Sequence, residues 1–475
     1  MMSNEITADI CVIGGGSGGL SVAAGASQMG AEVVLIEGGK MGGDCLNYGC
    51  VPSKSMIAAA HTAHAIRSAD RFGIETAEPN VDFRKVHDYV HSVIGAIAPH
   101  DSVERFEGLG VYVIEARGKF IGPTTVQAGD TVVKAKRVVV STGSHAGAPP
   151  IPGLDTLPFL TNETIFDRTE APSKLLIIGG GSIGSELAQA HRRLGCEVTI
   201  LDIAKTLNND DPELTEVVRI RMQKEGVVIR EEIEILSVEK DGDGVAVNIR
   251  EDGTEERVTG SDLLVAAGRV PNLDGLDLEA AGIEYDRRGI KVDERLRTTN
   301  KKVFAIGDAA GSFQFTHVAG YHAGIVIRNV LFRLPAKVDY SALPWVTYTD
   351  PEIAHVGMTE AQAREKHGDI RVLRHPFAEN DRAQAKRETD GLAKIVTTAK
   401  GVIVGASIVG PHAGELIQSW ILPIQKKMKI GAVAGLIIPY PTLGEVNKRA
   451  AGSFYMPKLF SEKTKKIVRF LLKLG

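Results

Sequence analysis

Cys45 and Cys50 stand five positions apart in GGDCLNYGCVPSKSM, and Lys54 follows Cys50 by four residues. The spacing suits a redox-active disulfide, opened and closed by exchange of an electron pair. Zinc is the other chemistry of paired cysteines, but it needs two further close ligands. The remaining Cys11 and Cys196 lie on or beside apolar strand segments elsewhere in the chain and read as buried packing residues. If Pro52 and Ser53 open a helix, both sulfurs sit at or before its positive end, which favours thiolate and lowers a cysteine pKa.

Two segments have the form that would bring a phosphate-bearing cofactor to this pair. Ala8 to Lys40 reads as an apolar strand, Gly14, Gly16 and Gly19, a small-residue helix, and a second strand ending in Glu37. In such a βαβ unit Gly14 permits the tight turn and Gly16 admits a pyrophosphate. Gly19 lets helix and strand pack closely, and Glu37 can hold a ribose hydroxyl. The order returns at Lys174 to Asp202, with Gly179, Gly181 and Gly184 before the acid. Two dinucleotide sites follow, and Asp202 favours NAD over NADP by repelling the extra phosphate; Lys205 keeps NADP open.

The chain is 475 residues long, with 43% apolar and 24% charged residues, which fits two to four soluble domains. Its net charge of −4 offers no broad basic footprint, so nucleic acid is not an expected partner. A start without a basic and apolar leader, and a cysteine count too low for a disulfide framework, suggest a cytoplasmic location. The prolines 149, 150 and 152 place a boundary near 150. The reading is α/β: a first Rossmann-like unit at 1–150 that resumes at 271–338, a second at 151–270, and an α+β domain at 339–475. His61 and His64 lack a nearby Cys or carboxylate in sequence, and no metal site is expected.

The motifs GGGSGG with Glu37, GGDCLNYGCVPSK, STG, GGGSIGSE with Asp202, AAGRVPN, AIGDAAG, VTYTDPEIAHVG and PYPTLGE span essentially the whole chain. Together they resemble the class I pyridine nucleotide-disulfide oxidoreductases, which include dihydrolipoyl dehydrogenase, glutathione reductase and mercuric reductase. The resemblance implies FAD on the first loop, with Gly43, Lys54, Thr142, Gly143, Asp308 and His317 around it. It implies NAD on the second, with Ile183, Gly268 and Arg269 beside the glycines and Asp202. The third domain becomes a dimerisation domain, and Glu186 falls where the family pairs a Glu with the Lys. The resemblance further implies that hydride passes from nicotinamide to flavin and electrons then enter the disulfide, with Cys50 as the flavin-contacting sulfur and Cys45 as the interchange thiol. A non-catalytic flavin-binding electron carrier is the competing class of function.

One motif departs from the family. Disulfide-handling members end in His-Pro-Thr-x-x-Glu, whose His serves the partner subunit's thiol; here the segment runs from Tyr440 to Glu445. A phenol with a pKa of about 10 is ionised in roughly one molecule in a thousand at pH 7, a handicap of about 4 kcal/mol against a neutral-range base. A Tyr stands similarly in mercuric reductases, so a thiol-reactive acceptor such as a metal ion is expected, although their terminal Cys pair is absent. Oxidation of a lipoyl dithiol, carried on a protein, is the alternative, and Tyr440 packing at the dimer seam is the plain structural one. His412 could replace the base only if folding carried it to the disulfide. The tail from Ser461 has Ile467, Phe470, Leu471 and Leu474 at helical spacing among Lys463, Lys465, Lys466, Arg469 and Lys473. The expectation is a helix docked on its own dimer, with an anionic membrane surface as the alternative.

Overall fold

Short Val-, Ile- and Leu-rich runs that end on glycine are the composition of parallel strands covered on both faces. In the computed structural model, which describes residues 4–474, the strand Asn4–Ile13 lies between Val33–Glu37 and Thr131–Val140, parallel to both. Val111–Glu115 extends the sheet beyond Val33–Glu37. Thr131–Val140 is shared on its outer edge: residues 131–134 pair antiparallel with Thr125–Ala128, and residues 138–140 pair in parallel with Val303–Ala305. The chain therefore leaves this sheet after Val140 and returns to it more than a hundred residues later.

The excursion builds a second parallel sheet, in which Lys174–Ile178 is flanked by Glu197–Leu201 and Asp262–Val265, with Val227–Arg230 beyond. An antiparallel meander, Glu234–Asp241, Gly244–Glu251 and Thr254–Gly260, packs on it through Val245, Val247 and Ile249. A short ribbon of Ser144–Ala146 with Arg269–Pro271 ties the two excursion points together. From Pro344 onward five antiparallel strands form a third sheet, in the order Pro344–Thr347, Glu352–Gly357, Ile403–Gly410, Leu392–Thr398, Ile370–Pro376. Phe377 and Trp420 are fully buried in its core.

The helix Cys50–Arg67 and the helix Phe83–Ile97 precede the second sheet in sequence but pack against it. Met56, Ala60, Phe83 and Val90 share one core with Ile177, Leu187, Ala190 and Leu194. Burying a side chain such as Met56 contributes about 1.5–3 kcal/mol, so this contact anchors the cysteine-bearing helix. Cys11 and Cys196 are buried, and desolvation pushes both thiols up to about 12. Among the described residues no helix is long and apolar enough to cross a membrane.

Candidate active site

The two glycine loops repeat one geometry. Gly14 and Gly179 have φ of +109° and +106°, and a Cβ there would lie 2.4 Å from the Ser141 carbonyl oxygen and 2.5 Å from that of Ala266. A Cβ on Gly19 or Gly184 would come within 1.9 Å of the carbonyl oxygen of Gly14 or Gly179, so neither helix could close on its strand. Gly181 instead faces open space, and Gly16 has only the Gly43 Cα in contact range at 3.8 Å, at the N-termini of the helices Ser182–Arg193 and Ser17–Gln28. The orphan amides of those first turns supply donors and positive potential for a pyrophosphate. Glu37 accepts from the amides of Gly15 and Gly39, and Asp202 from those of Gly180 and Ala204. Each acid is thereby fixed at its strand end, where a ribose would lie. Gly43 (φ +61°) approaches Gly16 so closely that a Cβ would meet its Cα at 2.7 Å.

One continuous cavity of about 1800 Å³ joins both loops to the cysteine pair. Gly14, Gly16 and Glu37 line one end, Cys45, Cys50 and Lys54 the middle, and Gly181, Ile183 and Asp202 the other end. Thr142, Gly143, Asp308, His317, Gly268 and Arg269 also line it, whereas Gly19 and Gly184 work from behind as packing positions. Cradles that a single methyl would fill, amides left without partners and a carboxylate at each strand end fit one dinucleotide on each loop.

The helix that carries Cys50 starts at Cys50 itself, two residues before the expected Pro52, while Cys45 sits on a separate turn, Gly43–Asn47. Both are free cysteines. Interaction with Cys45 is the main cause that pulls the Cys50 thiol down to about 6, with help from Thr316 and the Lys54 charge against burial and Asp44. Cys50 Sγ lies 3.5 Å from Thr316 Oγ1, at the start of the helix Thr316–Val330. Cys45 is driven upward by the same interaction and by burial, so the pair holds one proton on Cys45 and offers one thiolate on Cys50.

One turn along the helix, Lys54 Nζ pairs with Glu186 Oε2 at 2.8 Å and lies 4.5 Å above the Tyr348 ring. The other carboxylate oxygen of Glu186 accepts the Tyr348 amide at 2.9 Å. Burial opposes the Lys54 charge, but attraction to Glu186 and the hydrogen bond outweigh it and raise its pKa. Glu186 is thus buried and paired; it is not a solvated first-turn carboxylate.

Arg269, expected beside the nicotinamide, turns toward the first loop. It donates to Ser144 Oγ at 2.8 Å and pairs with Asp44 at 3.0 Å, while Ser144 Oγ donates to Asp308 at 2.5 Å. Burial raises the Asp308 pKa against these two partners. Next to Asp308, the Gly307 amide donates to His322 Nδ1 at 3.1 Å, and His322 Nε2 meets Tyr340 Oη at 2.6 Å. Desolvation brings His322 down to about 4, which keeps it neutral and able to accept. His317 stacks on Phe315 and contacts the Pro344 carbonyl at 2.9 Å. Asp44, Ser144, Thr316, His322 and Tyr348 are not singled out in the sequence reading, although Asp44 lies in GGDCLNYGCVPSK and Tyr348 in VTYTDPEIAHVG, two motifs quoted there.

Tyr440 and Glu445 are not brought to the cysteines within one chain. Tyr440 is 69% exposed, donates to Asp381 at 3.0 Å, and lies outside the cavity, as does Glu445. His412 takes a left-handed conformation and contacts Lys386 at 3.3 Å, also outside the cavity. No cluster of three or more His, Cys, Asp or Glu side chains is arranged to hold a metal among the described residues.

Residues 8–323 match the pyridine nucleotide-disulphide oxidoreductase domain, and residues 343–451 match that family's dimerisation domain. The chain belongs to the pyridine nucleotide-disulphide oxidoreductase family. It is 34% identical to a mercuric reductase of Bacillus cereus over 449 residues, covering 94% of this chain and 71% of that protein. It is 36% identical to a dihydrolipoyl dehydrogenase of Geobacillus stearothermophilus over 460 residues, covering 94% and 96%. It superposes with a TM-score of 0.85 and 26% identity on the Cu(II) complex of the HOCl-induced flavoprotein disulfide reductase RclA from Escherichia coli, covering 94% and 99%. As a member of the pyridine nucleotide-disulphide oxidoreductase family, the protein is an NAD(P)H-dependent flavoprotein enzyme with FAD as its cofactor. Its dimerisation domain supports a homodimer.

Proposed function

We propose that the enzyme passes electrons from NADH through the Cys45–Cys50 pair to a soft, thiol-binding metal ion. Tyr440 carries this reading. It occupies the place of the histidine base, and the Asp381 carboxylate, by accepting from the phenol, raises its pKa further above neutrality. A phenol held protonated cannot take the proton that dithiol oxidation must release. A thiophilic ion needs no such base, because it displaces thiol protons itself.

FAD, when bound, takes the hydride of NADH and supplies its electron pair to the disulfide. Gly14, Gly16, Gly19, Gly43 and Glu37 would hold it, with Thr142, Gly143, Asp308 and His317 alongside. Lys54, fixed by Glu186, sets a positive charge one turn from Cys50. Gly179, Gly181, Ile183, Gly184 and Asp202 would hold the nicotinamide coenzyme near Gly268, with Arg269 anchoring the wall between the two sites. Cys50 supplies the thiolate and Cys45 meets the acceptor, while Tyr440 and Glu445 complete the site from the neighbouring subunit. In balance, one NADH and one divalent ion yield NAD⁺, one proton and the zero-valent metal.

The mercuric reductase relatives and the Cu(II) complex of RclA support this acceptor class. A second reading, oxidation of a lipoyl dithiol, is favoured by the NAD-type Asp202 and by the dihydrolipoyl dehydrogenase relatives. The test is a parallel assay with mercuric ion, cupric ion, lipoamide, dihydrolipoamide and oxidised glutathione, on wild type, Tyr440→His and Tyr440→Phe, with NADH and NADPH compared. Metal-ion reduction with NADH, and dihydrolipoamide oxidation that improves only in Tyr440→His, is the expected pattern. Rapid dihydrolipoamide oxidation by wild type with no gain in Tyr440→His would replace this reading by the second.

A further inference from the structure

We propose that the C-terminal helix Glu462–Leu471 docks the enzyme on an anionic lipid surface. The helix buries no residue against its own chain. Phe470 and Leu471 lie three and four residues after Ile467 and share one face of the helix with it, Val468 widens that face, and Leu472 and Leu474 follow just past the helix end. These six side chains are between 47% and 75% exposed, and the turn before them adds the exposed Met456, Leu459 and Phe460. Lys465, Lys466 and Arg469 form the opposite face, with Lys463 in the first turn and Lys473 just past the helix end, against a single acid, Glu462. The cations are concentrated here although the whole chain has a net charge of −4.

Three observations choose the occupant. The match to the family's dimerisation domain ends at residue 451, so this helix lies outside that match. The match thus assigns the helix no place in the subunit contact. Nucleic acid would satisfy the cations but gives six exposed large apolar side chains no apolar phase. An anionic bilayer supplies both at once: acyl chains for the leucines and phenylalanine, and a diffuse negative potential for the lysines and arginine around them. Ten helical residues rise about 15 Å, half of a hydrocarbon core of about 30 Å, so the helix lies in the interface plane and does not span.

The experiment is co-sedimentation of the full-length holoenzyme with phosphatidylglycerol–phosphatidylcholine vesicles and with pure phosphatidylcholine vesicles. The wild type is expected to bind the anionic vesicles and to leave them as salt is raised. At about five-fold per cation, Lys465→Gln with Lys466→Gln should weaken binding roughly 25-fold. Phe470→Ser with Leu471→Ser should abolish it, and both double variants should keep wild-type NADH turnover in solution. Equal binding to neutral vesicles, or no binding to anionic ones, would overturn the proposal. So would a shift of the Phe470→Ser, Leu471→Ser variant from dimer to monomer in sedimentation, which would make the stripe a subunit contact.

Discussion

Replacing Cys45 by alanine removes the largest cause of the low Cys50 pKa while leaving Lys54 and Thr316 in place. Cys50 stands at about 6 against an ordinary 9.0. At pH 7 those two values correspond to about 90% and about 1% thiolate. With two smaller contributors retained, Cys45→Ala should raise the midpoint by about one to two units, and thiolate at pH 7 should fall roughly two- to ten-fold. The sign is that of an acid whose pKa is depressed: thiolate is lost as pH falls through about 6 in the wild type, and already at higher pH in the variant. The assay is the rate of iodoacetamide alkylation of Cys50 in the reduced holoenzyme as a function of pH, with the modified residue mapped by mass. Cys11 and Cys196, buried and held near 12, stay silent through that window. An unchanged midpoint in Cys45→Ala would refute proton sharing as the cause, and a midpoint that instead rose only in Lys54→Met would assign the effect to the lysine.

Gly184→Ala should abolish nicotinamide binding while the purified protein stays yellow, since its Cβ would strike the Gly179 carbonyl and leave the first loop untouched; equilibrium binding of NADH and the visible spectrum check both halves. Glu186→Gln should cost about 1 kcal/mol of stability, because the Lys54 pair is partly open to water, yet lower NADH turnover roughly 10- to 100-fold by releasing Lys54 from its position. Thermal melts and steady-state kinetics separate the two effects. If Tyr440 and Glu445 act on a neighbouring subunit's cysteines, turnover should vanish on dilution to monomer; sedimentation at assay concentration, with an active monomer as the contrary result, decides it.

Much of this site was legible in the sequence because its steric demands are local. Gly19 and Gly184 are constrained by the loop glycines five residues before them, and Glu37 and Asp202 terminate strands whose apolar runs are visible, so types and spacing carry the geometry. The helix start was read late because Pro marks the first helical position most often; the first four amides of a helix lack partners anyway, and Pro52 at the third position costs nothing. Thr316 was invisible, since it meets Cys50 across 266 residues of chain. The partners of Arg269 were invisible for a similar reason: Asp44, Ser144 and Asp308 come from three separate segments. Tyr440 and Glu445 could be named from their motif, but within one chain both lie outside the cavity that holds the cysteines.

The shared core beneath the cysteine helix bears on coenzyme engineering. Met56, Ala60 and Phe83 interlock with Leu187, Ala190 and Leu194, so the nicotinamide-binding unit is no detachable module. Transplanting that unit from an NADPH-dependent relative would replace half of an interdigitated surface and tilt the helix that aims Cys50 and Lys54. If the second glycine loop holds the coenzyme, specificity is better altered at the rim, by substituting Asp202 and the exposed Ile203, which line that end of the cavity and lie outside the interlocked surface.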